Sequence, residues 1–146
     1  MTEKLIPYIN RLTKEWKEHS NIIIGVDYDS TISPWATIDN KDDIERTINL
    51  VKACKDVGAY IVLHSCCDES RHHDMLEYCE KIDLKIDAIN ETPIKLPYDK
   101  SNKPYCNIYL DDRAGLNEAL IILEEAMYNQ RIHNNQIKFN NLNDIA

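Results

Sequence analysis

Glycine is scarce in this 146-residue chain, with only three, alongside five prolines. That composition excludes collagen-like repeats, flexible linkers and low-complexity tails, each of which needs far more of one or both residues. No apolar run approaches the roughly 20 residues that span a bilayer. The opening segment, MTEKLIPYINRLTKEWKEHS, is charged throughout and lacks the apolar centre of a secretory signal. There is no internal repeat. Cations are also in short supply: 17 Lys+Arg stand against 25 Asp+Glu, a formal charge of −8. Such a balance argues against broad, backbone-driven nucleic-acid binding and leaves room only for a local basic strip. The five cysteines, Cys54, Cys66, Cys67, Cys79 and Cys106, form no C-x-x-C pair and are odd in number. They read as reduced thiols, mostly small buried hydrophobes, and so as a cytoplasmic location. A chain of this length can bury roughly 70% of its unfolded surface and is expected to form one domain, 1–146.

Helical and strand patterns alternate along the chain, the signature of a parallel α/β sheet. Leu5, Ile9, Leu12 and Trp16 recur at helical spacing and predict an opening helix over 2–18. The run Ile22-Ile23-Ile24-Gly25-Val26 reads as a strand buried on both faces. Asn40 or Asp42 is the expected cap of a second helix, with Ile44, Ile48, Val51 and Cys54 inward and Gly58 closing it. Tyr60–Leu63 predicts the second strand, Asp68 the cap of a helix to about Lys81, and Ile86–Ile89 a weak third strand. The polar, proline-bearing stretch 90–106 reads as loop. Ile108–Leu110 is the last strand, followed by a helix over about 116–128. The Asn-rich tail, 131–146, shows no clear pattern and is expected to hold a short edge strand at Gln136–Phe139 or to be partly disordered.

Ligands of open parallel sheets bind at the carboxyl ends of the strands. Three predicted strands deliver polar residues there: Asp27-Tyr28-Asp29-Ser30-Thr31, then Ser65, then Asp111-Asp112. If the extended geometry continues past Asp27, Asp27 and Asp29 point the same way. Carboxylates gathered this closely repel one another unless a cation offsets them, and oxygen-only ligands suit Mg²⁺. Singly, each of these signals also reads as a solvated loop or a helix cap; their order along the chain carries the information. His64, His72 and His73 with Cys66 and Cys67 meet no zinc spacing.

GVDYDST, IVLHS, a loop lysine and IYLDD resemble, in that order, the four motifs of the haloacid dehalogenase superfamily. The resemblance covers about 21–120 and extends to KIDAINE and IYLDDRA. It implies a three-layer Rossmann-like α/β domain, a central parallel sheet flanked by helices, with its core at about 21–130. It also implies a Mg²⁺-dependent phosphatase working through an aspartyl-phosphate. By that resemblance Asp27 is the nucleophile and Asp29 the general acid and base, with its backbone carbonyl completing the metal shell. Ser65 and Arg113 would bind phosphate, and Thr31, grouped with them, would brace the turn. Asp112 is the preferred metal ligand with Asp27, and Asp111 would pair with the lysine or reach the metal through water. The active-site lysine is one of Lys95, Lys100 and Lys103, with Lys103 preferred because it leads straight into the last strand. Relatives often carry Thr-Cys-Arg where this chain has Ser65-Cys66-Cys67, so the arginine would have to come from Arg71 or Arg113.

The intervals from Asp29 to Ser65 and from Ser65 to Lys103 hold only a loop, a helix and a short strand, leaving no room for a cap domain. An open site implies a large substrate or a lid supplied by a partner, and a homodimer through the first helix is one arrangement. Trp35 and Tyr98 either pack on the body or stack on substrate. Nucleotides, polynucleotide ends, sugar phosphates and phosphoproteins all remain open. Two further readings compete: a non-catalytic binding protein of the same fold, and a phospho-acceptor receiver domain, whose acid pair follows the first strand and not a late one.

Overall fold

A computed structural model describes residues 2–35, 38–96 and 104–145. After a 3-10 turn, Thr2–Leu5, helix α1 (Ile6–His19) starts with Pro7 in its first turn, where a missing N–H costs nothing. It buries Ile9, Leu12, Thr13 and Trp16 and stops at Ser20, which takes a left-handed φ of 60°. Strand β1 (Ile22–Asp27) pairs in parallel with β2 (Ala59–His64), Ile22 opposite Ala59 and Asp27 opposite His64. On its other side β1 pairs in parallel with β4 (Ile108–Leu110), and β2 carries the two-residue β3 (Ala88–Ile89). The sheet order is β3-β2-β1-β4. Helix α2 (Lys41–Lys55) joins β1 to β2 and α3 (His72–Lys81) joins β2 to β3; α4 (Leu116–Ile145) follows β4.

The protein is therefore an α/β fold with a four-stranded parallel sheet flanked by helices. Alternation along the strands separates two faces. Ile22, Ile24, Val26, Ile61, Leu63 and Leu110 join one large cluster to which α1, α2, α3 and α4 all contribute. Ile23 and Val62 face the other way, against Cys106, Ile94, Leu96, Tyr105 and Tyr109 from the connection into β4 and from β4 itself. Over its described residues, that second covering layer is loop. Among the described residues no helix is long and apolar enough to cross a membrane.

Two contacts fix the start of the sheet. The indole N–H of fully buried Trp16 donates to the Val57 carbonyl at 3.0 Å. Next to it, Gly58 has φ +96°, and a Cβ there would lie 2.6 Å from the Ser20 carbonyl oxygen. Gly58→Ala therefore meets both a disfavoured backbone region and a backbone atom that cannot yield. It should lower stability by about 2 kcal/mol or more, read as a shifted urea midpoint with an unchanged slope.

The structure departs from the sequence reading in three places. Residues 131–145 are neither patternless tail nor edge strand at Gln136–Phe139; they continue α4 to Ile145. The stretch has no Gly or Pro, and it extends a helix already anchored by Leu116, Leu120, Leu123 and Met127, so no new nucleation is needed. Asp68 caps only a 3-10 turn, Glu69–Arg71, through Ser70 N–H at 3.4 Å, before α3 begins. Asn40 does precede α2, but its side chain makes no capping bond and donates instead to the Ser30 carbonyl at 2.7 Å. That bond ties the start of α2 to the loop after β1.

Candidate functional site

Parallel strands bring all their carboxyl ends to one edge, so Asp27 (the end of β1), Ser65 (just past β2) and Asp111-Asp112 (just past β4) meet there. One oxygen from each of Asp27, Asp111 and Asp112 lies within 4.8 Å of the others, a spacing that can hold a metal ion. Among the described residues this is the one cluster of His, Cys, Asp or Glu with that property; the histidines and cysteines form none.

Asp27 is half-buried, and three influences push its carboxyl from the ordinary 3.8 up to about 7. Burial is the largest; repulsion from Asp111 follows, and the close Asp112 carboxyl adds to it. A hydrogen bond from Thr31 opposes them. The Thr31 side chain is fully buried, its Oγ1 lying 3.2 Å from Asp27 Oδ2 and 3.3 Å from Asp112 Oδ1. The same oxygen accepts the Asp112 backbone N–H at 3.1 Å. With one proton to donate, the hydroxyl serves one carboxylate at a time. Thr31 thus fastens the β1 loop to the β4 loop, with its hydroxyl enclosed between the two.

The chain leaves the sheet immediately after Asp27, so the strand alternation does not reach Asp29. Tyr28 N–H makes the last sheet bond, to His64 at 3.2 Å, and the Tyr28 carbonyl then accepts from Ile32 (3.2 Å) and Ser33 (3.0 Å). Ser30 adopts φ 64° in this tight turn. Tyr28 is buried edge-on against Tyr78, and Tyr78 Oη donates to the Ile32 carbonyl at 2.7 Å, so α3 clamps the loop. The Asp29 carboxylate is not part of the three-acid cluster, and Arg71 Nη2 lies 3.8 Å from its Oδ1.

Arg71 Nη1 also reaches Cys67 Sγ at 3.1 Å. Ser65 Oγ sits 2.6 Å from the same sulfur and accepts the Cys67 N–H at 3.1 Å. Asn90, just past β3, clamps the Ser65 backbone from both sides, accepting its N–H and donating to its carbonyl, each at 2.9 Å. Of the two arginines named from the sequence, Arg71 is the one whose side chain comes near an acid of this edge, Asp29. Arg113 gives its backbone N–H to Asp111 Oδ1 at 2.9 Å, and its side chain is exposed. Sequence reasoning missed Asn90, although the rule that ligands gather at strand ends would have flagged it at the end of the weak third strand. Lys95 is exposed; Lys100, Lys103 and Tyr98 lie outside the described residues. Trp35 is half-exposed beside Pro34 and Ile38.

A cavity of about 600 Å³ lies elsewhere, between α1, α4 and the outer edge of β4, and none of these acids lines it. An open acidic edge held rigid by Thr31, Tyr78 and Asn90 can do two things chemically: take a hard divalent cation, and present a carboxylate to an electrophile bound beside it. The chain matches no family model, no curated protein and no solved structure.

Proposed function

We propose that this protein is a Mg²⁺-dependent phosphomonoester hydrolase of the haloacid dehalogenase type, with Asp27 as nucleophile. The observation that carries the reading is the convergence of the Asp27, Asp111 and Asp112 carboxylates within 4.8 Å at the carboxyl edge of a parallel sheet. The donor set fits Mg²⁺: all ligands are oxygen, and the edge is open enough for the waters this ion retains. Bound there, the ion would offset the acids' mutual repulsion and the charge of an incoming phosphoryl group.

In the proposed first step, a carboxylate oxygen of Asp27 attacks phosphorus as the bond to the leaving oxygen breaks, and protonated Asp29 gives its proton to that oxygen. In the second, Asp29 takes a proton from water while the water oxygen bonds to phosphorus. The bond to Asp27 then breaks, releasing inorganic phosphate and restoring the free carboxylate. The Arg71 guanidinium, with five donors, steadies Asp29 and adds positive charge on the side where phosphate must enter. The Ser65 hydroxyl, turned from Cys67, donates to a phosphoryl oxygen, and Lys103, which lies outside the described residues, is the sequence-based choice for the charge-offsetting role. The open edge favours substrates that bring their own bulk to cover it. A receiver domain accounts less well for the site, because β2 ends in His64-Ser65 with no acceptor aspartate.

The test is phosphate release from a generic aryl phosphate with Mg²⁺ and with chelator. Release that needs the metal supports the reading; release indifferent to chelator, or no Mg²⁺ binding by calorimetry, sinks it. Thr31→Val keeps the shape of the side chain but removes the hydroxyl from both carboxylates. It should weaken Mg²⁺ binding by roughly tenfold, about the worth of one hydrogen bond to a charged group. An unchanged isotherm would refute the bracing role.

A further inference from the structure

Helix α4 has two apolar faces, and only one of them belongs to the core. Leu116, Leu120, Leu123, Ala126, Met127 and Gln130 are buried against the body. On the opposite side, Tyr128, Ile132, Phe139 and Leu142 are 46, 58, 64 and 67% exposed, although Phe139 is the only phenylalanine in the chain. With exposed Asn135 they fall at spacings of four, three, four and three residues, the a/d repeat of a coiled coil. A stripe with that period is complementary to a copy of itself, whereas a single amphipathic face made for a globular core drifts around the helix.

We infer that this stripe is a homodimer surface, on which two copies pair as a parallel two-stranded coiled coil. The flanking charges select the direction of pairing. With Ile132 and Phe139 at a and Tyr128, Asn135 and Leu142 at d, Arg131 and Lys138 occupy g while Gln136 and Asn143 occupy e. In a parallel pair each g residue meets the e residue five positions on, so Arg131 meets Gln136 and Lys138 meets Asn143 of the second copy, with no like charges opposed. An antiparallel pair sets g against g and forces cation on cation. Asn135 meets its own copy across the axis, where one amide donates and the other accepts. Because the stripe lies opposite the buried face, the two bodies stand on the outer sides of the helix pair. Residues 116–130 already anchor each helix, so pairing does not bear the cost of nucleating it.

Sedimentation equilibrium of the full chain should give twice the 17.0 kDa monomer mass. Phe139→Glu sets two carboxylates against each other at an a position and should return the mass to the monomer value, with circular dichroism unchanged. Asn135→Leu should tighten the dimer at least about tenfold. Asn135→Cys in a Cys66→Ser background, equilibrated with oxidised glutathione, should give a disulfide-linked dimer that Cys66→Ser alone, which lacks the exposed thiol of the wild-type chain, does not form. A wild-type monomer at several hundred micromolar overturns the proposal, as does a dimer that Phe139→Glu leaves intact. Failure of Asn135→Cys to cross-link overturns the parallel arrangement.

Discussion

Asp27→Asn should abolish metal-dependent phosphate release, lowering kcat by at least about a thousandfold, while leaving the chain folded. Asparagine keeps the shape of the side chain but offers a neutral amide where the proposed mechanism needs an ionised oxygen to bond phosphorus. It also removes the charge that Asp111 and Asp112 oppose. Without metal at neutral pH the variant should therefore be at least as stable as wild type, so lost turnover cannot be ascribed to unfolding. The comparison that gives this test its edge is Asp29→Asn. The Asp29 carboxylate stands outside the three-acid cluster, beside Arg71. Its loss should cost roughly a hundredfold or more in turnover, in the range of general acid–base catalysis, yet leave Mg²⁺ affinity nearly intact. Asp27→Asn should impair both. Equal effects of the two variants on metal binding would contradict the division of roles, and residual wild-type turnover in Asp27→Asn would remove Asp27 as the nucleophile.

Much of this arrangement is legible in the sequence, for reasons that differ by element. Ile22–Val26 declares itself as an inner strand because five consecutive apolar residues suit only an environment buried on both faces, and all but its neighbour Asp27 are buried in β1. Once the sheet is parallel, geometry alone delivers Asp27, Ser65, Asp111 and Asp112 to one edge. What sequence does not reveal is where a chain stops being a strand. Asp29 lies two residues past Asp27 and by alternation shares its direction, but the carbonyl bonds of Tyr28 and the left-handed Ser30 turn it toward Arg71. Arg71 and Asn90 are distant in sequence from the acids and reach the site through the placement of α3 and β3. The end of α4 escapes notice because asparagine has weak helical preference, at a few tenths of a kcal/mol per residue. Anchoring by the first half of the helix outweighs that preference, and two opposed apolar faces blur the amphipathic pattern that would reveal either one.

Mg²⁺ affinity should rise with pH, close to tenfold per unit below about pH 7, and level off above it. The Asp27 carboxyl is raised from 3.8 to about 7 by burial and by Asp111 and Asp112, so in the metal-free protein it keeps its proton where an unfolded chain has lost it. Metal and proton compete for the same oxygens, and each Mg²⁺ bound below that pKa expels about one proton. The sign for stability is opposite in the metal-free protein. Between about pH 4 and pH 7 the folded state binds more protons than the unfolded state, so Asp27's contribution to stability is full below the lower value and lost as pH rises through the upper one. Saturating Mg²⁺ should reverse that trend by replacing the proton with a charge the acids attract. Calorimetric titration at about pH 5.5, 6.5 and 7.5, in two buffers of different ionisation enthalpy, reads the affinity and the proton release together. Asp27→Asn should flatten both. A wild-type affinity that does not change across this range would mean that Asp27 is ionised already or does not touch the metal, and in either case the three carboxylates would not act as one site.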